Sequence, residues 1–155
     1  MIDRSDVDRI LAANRYLVLG TADEDGNPWV SPVFFAPLDA DQVVWVSSPD
    51  SRHSRNIAKR ASVAITVFDS TVEVGRAEAA YFDAHAERAD LDEEEILAAL
   101  RELNTRVPQH KRLSRDDVHP YGPMVVYRAG LRHSYLLVRG GNPEFGNELD
   151  MTVEV

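Results

Sequence analysis

Between Asp50 and Asp69 the chain carries Arg52, Arg55, Lys59 and Arg60, with His53 among them, and not one carboxylate. Permanent cations and an imidazole gathered on so short a segment are the chemistry of anion binding. Asp50 or Ser51 suits the N-cap of a helix, which places Arg52, His53 and Arg55 at its start, where unpaired backbone N–H groups and the helix dipole already supply positive potential. Cations there oppose the dipole, and a bound phosphate would turn that conflict into attraction. The plainer alternative is that these side chains spread into water or pair with surface carboxylates.

The background makes the cluster stand out. The 155 residues carry a formal net charge of -9 and 44% hydrophobic residues. An acidic total argues against nucleic acid or an anionic membrane as the main partner, because both select a basic face. The length suits one domain with a real core. Cysteine is absent, which removes disulfides, thiolate nucleophiles and the common zinc sites. The opening "MIDRSDVDRILAAN" puts Asp and Arg where a secretory leader needs an apolar run, and no stretch reaches the length of a spanning helix, so a cytoplasmic protein is expected.

The elements that must position the cluster are short. "SDVDRILAAN" reads as a helix, with Ser5 and Asp8 spaced as a capping box and Val7, Ile10 and Leu11 on one face. "RYLVLGTA" and "PWVSPVFFA" are β-rich runs joined through Asp25-Gly26, and "QVVWVSS" makes a third strand. After the basic helix, "SVAITVF" is apolar on both alternating sets, the pattern of a strand buried on two sides. In "AEAAYFDAHAERA", Tyr81, Asp83, His85 and Glu87 alternate with Ala80, Phe82, Ala84 and Ala86, so one face covers a core. A helix follows from Asp92 to Val107, acidic in its first turn. "MVVYRA" and "RHSYLLV" read as two closing strands around Gly130. Residues 1–139 form the expected domain, and 140–155 a tail ending in a short strand "MTVEV". Many short strands with inserted helices favour a small barrel over a doubly wound sheet, and neither GxGxxG nor a Walker loop is present.

The order "DEDGNPWVSPVFF", "VVWVSSPDSRHSRNIAKRASVAITVF", "DSTVEVGRAEAAYFDAHAERA" resembles the pyridoxamine 5'-phosphate oxidase-like family over roughly residues 8 to 139. The resemblance implies a mainly β fold with inserted helices, a six-stranded split barrel of Greek-key type. It further implies flavin mononucleotide (FMN) as cofactor, with a deazaflavin or haem as the alternatives used by related barrels. By the same resemblance the phosphate falls on Ser51, Arg52 and His53, with Arg55 and Asn56 on the next turn. Val46, Ser47 and Ser48 fall where the family lines the phosphate and ribityl chain, and Ser31, Pro32, Val33 and Phe34 where a strand edges the flavin ring. Ordinary roles stand beside these: turn residues for Ser47 and Ser48, core for Phe34.

Three positions depart from the family pattern. Ser31 stands where arginine is common, His53 where lysine is, and Glu78 near a frequent glutamine. The family also implies a homodimer with the cofactor between subunits, and a flavin-dependent oxidoreductase acting on a small molecule. A non-enzymatic flavin carrier or sensor is the second reading. No side chain is singled out as a catalytic acid or base. His85 with Asp83 and Glu87 has the i, i+2 spacing of solvated polar residues on a strand, not of a metal site.

Overall fold

The computed structural model describes residues 1–155. Helix α1 (Arg4–Ala13) precedes strands β1 (Tyr16–Ala22), β2 (Pro28–Phe34), β3 (Ala36–Asp39) and β4 (Gln42–Ser47). Helix α2 (Arg52–Lys59) leads into β5 (Ser62–Phe68) and β6 (Ala79–Arg88), helix α3 (Glu93–Asn104) into β7 (Val125–Val138), and β8 (Met151–Glu154) ends the chain. No helix is long and apolar enough to cross a membrane.

Every strand pairing is antiparallel, and the hydrogen-bonded order is β2-β1-β5-β6-β7-β4-β3, with β8 added to β7. The two ends of that path, β2 and β3, are consecutive in the chain and joined only by the buried Phe35. A sheet whose edges are tied together by one residue has to curl. The result is a half-barrel, the split barrel expected, with β2 and β4 facing one another across the split. The short strand β3 is added to the six anticipated in the barrel, and β8 is the expected tail strand.

Burial follows the pleat. Leu17, Leu19, Val43, Trp45, Ile65 and Phe82 fill the barrel, and α1 closes over it with Val7, Ile10 and Leu11. A second cluster lies outside, where α3 sets Ala99, Leu100 and Leu103 on Ala36, Val44 and Val126. In the β1–β2 turn the Asp23 carboxylate accepts from the amides of Asp25 and Asn27 at 3.0 and 2.9 Å. Gly26 there takes φ +89°, which a side chain would disfavour.

Several local expectations are corrected. The cap of α1 is Asp3 with Asp6 closing the box, two residues ahead of Ser5 and Asp8, because Asp3 already has the extended backbone a cap needs. β5 is not buried on both faces: Val63, Ile65 and Val67 are inside, while Ala64 and Phe68 are exposed and Thr66 is half-buried. β7 is one strand. Gly130 pairs with Gln42 on one side and His85 on the other, so both neighbours carry the ladder through the glycine. The register shifts just beyond it, between Asp83 and Ala84 of β6.

Candidate functional site

Helix α2 caps one end of the barrel. Ser51 is its N-cap, and the Ser51 hydroxyl oxygen accepts from the Ser54 amide at 3.3 Å. The Arg55 amide bonds to the Ser51 carbonyl at 3.0 Å. By helix geometry the amides of Arg52 and His53 then remain as outward donors.

Side chains gather in front of them. His53 Nε2 lies 2.9 Å from Ser47 Oγ, at the end of β4, and 3.1 Å from Ser51 Oγ, which also donates to Ser54 Oγ at 2.7 Å. One imidazole nitrogen therefore joins a strand end to a helix start through two hydroxyls. Burial holds the His53 pKa below its ordinary value, because a half-buried imidazole loses hydration when charged. Arg52 is exposed beside this cluster, its guanidinium 4.2 Å from the centroid of the Trp29 ring on β2. It has neither a hydrogen-bond acceptor nor an ion-pair partner in the chain.

The remaining cations of the segment are engaged. Arg55 donates to the Asp50 carbonyl. Lys59 lies 3.8 Å from the Glu24 carboxylate, and Arg60 donates to the Glu24 carbonyl at 2.8 Å. The β1–β2 hairpin thus holds the far end of α2, and the near end keeps its charge. That is the physical answer to how so many cations sit together.

The sequence-predicted residues divide accordingly. Ser47, Ser51, Arg52 and His53 come together. Ser48 shapes the turn, accepting from the Asp50 amide at 3.2 Å. Asn56 faces inward and donates to Thr21 Oγ1 at 3.0 Å in the barrel interior, away from the cluster. Val33 belongs to the main core, while Phe34 and Val46 pack on the second cluster, outside the barrel. Glu78 lies just ahead of β6, where both its oxygens take 2.9 Å hydrogen bonds from Arg9.

Ser31 and Pro32 sit on β2, the edge strand. The Phe35 amide bonds to the Arg15 carbonyl, and the β1–β2 register extends from there. Alternation then turns the main chain of Pro28, Val30, Pro32 and Phe34 outward. Two of those four are prolines, so the exposed edge offers N–H donors only at Val30 and Phe34.

Trp29 was missed in the sequence. It stands in "GNPWVSP" on an alternating strand next to a turn, and an exposed tryptophan on an edge strand was the available signal.

The family model for pyridoxamine 5'-phosphate oxidase matches residues 4–119. No curated protein matches the chain. Among solved structures, a Bacteroides thetaiotaomicron protein assigned to 5-nitroimidazole antibiotic resistance superposes with a TM-score of 0.72 at 20% identity, over 86% of this chain and 82% of that one. The heme storage protein HutZ of Vibrio cholerae gives 0.69 at 20% identity over 85% and 92%. A FAD-binding protein of Mesorhizobium loti gives 0.64 at 20% identity over 86% and 92%. At these identities the likeness is one of fold.

Proposed function

The chain belongs to the pyridoxamine 5'-phosphate oxidase family, and from that premise we propose that it binds flavin mononucleotide and serves as a flavin-dependent oxidoreductase for a small molecule. The observation that carries this reading is the start of α2, where a guanidinium without a hydrogen-bond acceptor, the hydroxyls of Ser47 and Ser51 and an imidazole converge beside open amide donors. Such a donor set matches the oxygens of a phosphomonoester. Arg52, His53, Ser47 and Ser51 would hold the phosphate. The Val30 and Phe34 amides on the β2 edge would meet the polar rim of the ring.

When bound, the flavin supplies hydride or electron transfer; the chain binds it, orients it and shields one face. The same residues suit a flavin carrier. A second copy of the chain would complete the site. The outer face of β2, β1, β5, β6 and β7 supports that reading: Val18, Gly20, Val30, Ala64, Tyr81 and Tyr135 line a mostly apolar slot of about 260 Å³, the kind of surface a homodimer covers.

The absorption spectrum of freshly purified protein tests the cofactor. A flavin spectrum is expected, and a Soret band or the single violet band of a deazaflavin would overturn it. Turnover of reduced nicotinamide with an electron acceptor separates enzyme from carrier. Sedimentation with cofactor present should give a dimer, and monomer at micromolar concentration would end the two-copy site.

A further inference from the structure

The protein contains three arginine–aromatic stacks, and they differ in what else the guanidinium touches. Arg106 lies 5.0 Å from the Phe35 centroid and also donates to the carbonyls of Leu11 and Asn14. Arg115 lies 4.6 Å from Tyr121, takes both oxygens of Glu93 at 2.9 Å and donates to the Val118 carbonyl. Arg52, at 4.2 Å from Trp29, has the closest stack and no acceptor at all.

Its surroundings make that arrangement unstable unless something holds it. The hairpin carrying Trp29 also presents Asp23, Glu24 and Asp25, and the Glu24 carboxylate has drawn in Lys59. Asp23 feels the Arg52 charge, which helps to keep that carboxyl below its usual range behind its bonds to Asn27 and Asp25. An exposed, flexible arginine close enough to be felt by the Asp23 carboxylate would ordinarily swing onto it. A planar guanidinium laid on an indole face is attracted to the ring quadrupole and keeps its edge donors free.

We propose that Trp29 is a positioning residue: it holds Arg52 away from the Asp23 carboxylate and presents its donors to a phosphomonoester at the start of α2. This rests on the phosphate reading above. It adds that affinity for the phosphate depends on a residue that touches no phosphate, and that phenylalanine can replace tryptophan there while an aliphatic side chain cannot.

The test compares FMN with riboflavin, which lacks the phosphate, by fluorescence titration of wild type, Trp29→Leu, Trp29→Phe, Arg52→Gln and the Trp29→Leu/Arg52→Gln double variant. Wild type should prefer FMN. Trp29→Leu should weaken FMN about fivefold, the size of an exposed cation–π contact, and leave riboflavin unchanged. Trp29→Phe should recover most of the loss, and in the Arg52→Gln background Trp29→Leu should add nothing. Equal loss of FMN and riboflavin in Trp29→Leu, or an undiminished FMN preference, would overturn the positioning role alone. A wild type that does not distinguish the two ligands would overturn the phosphate reading and the positioning role with it.

Discussion

Helices α2 and α3 begin alike and then diverge. Each has an oxygen-bearing N-cap, Ser51 in one and Asp92 in the other, bonded to the amide three residues on. After Asp92 come Glu93, Glu94 and Glu95, and Glu95 closes a capping box back to the Asp92 amide at 3.0 Å. Carboxylates at that end complement the dipole. After Ser51 come Arg52 and His53, which oppose it. Nearby arginines repeat the contrast: Arg115 beside α3 is saturated by Glu93 and Val118, while Arg52 meets only an aromatic face. The start of α3 satisfies itself, whereas the start of α2 leaves the Arg52 guanidinium without an acceptor, the contrast on which the proposed phosphate site rests.

The largest way to break this comparison is charge reversal. Arg52→Glu should reduce FMN affinity about a hundredfold, the loss of a charge-assisted bond plus added repulsion. Arg112→Glu, on an exposed residue away from both helix starts, should leave affinity unchanged. Equal affinities for the two variants, measured by fluorescence titration, would remove Arg52 from the site.

The caps come next. Asp92→Ala and Ser51→Ala should each cost about 1 kcal/mol of stability in urea unfolding, the usual value of an N-cap. Only Ser51→Ala should also weaken FMN, because its hydroxyl has a second task beside His53. If Asp92→Ala weakens FMN equally, the two helix starts do not differ in function.

What could be read from sequence follows the range of the interactions. Ser51, the charge run and the acidic first turn of α3 are local signals, and they placed both helix starts correctly. The Trp29–Arg52 stack joins residues of different elements, so no periodicity marks it. Gly130 looked like a strand break because its pairing partners, Gln42 and His85, lie far away in the chain. The apolar run of β5 suggested two buried faces, but composition does not say what covers the second one. The inward turn of Asn56 depends on Thr21, again a distant partner.

His53 gives a pH-dependent contrast. Its folded pKa is lowered, so near pH 6.5 the unfolded chain binds more protons and stability should fall as pH drops below about 6.5. Phosphate favours the imidazolium, so FMN affinity should move the other way and rise as pH falls from about 8 toward 6.5. Below about pH 6 the phosphate takes up a proton and the gain should flatten. His53→Lys should bind more tightly at pH 8 with a flatter profile. Identical profiles for wild type and His53→Lys would show that His53 does not meet the phosphate.

The smallest effect belongs to the exposed Lys59–Glu24 pair. Glu24→Gln should change stability by less than about 0.5 kcal/mol and lose even that in high salt. A larger change in urea unfolding would mean that the hairpin anchors α2 more strongly than its exposed contacts imply.

The most direct measurement is the calorimetric affinity of wild type for FMN and for riboflavin at pH 7.5. If the start of α2 is a phosphate site, FMN binds at least about tenfold more tightly, the worth of one charge-assisted hydrogen bond or more. Equal affinities would contradict the account, because the phosphate would then contribute nothing where these donors converge.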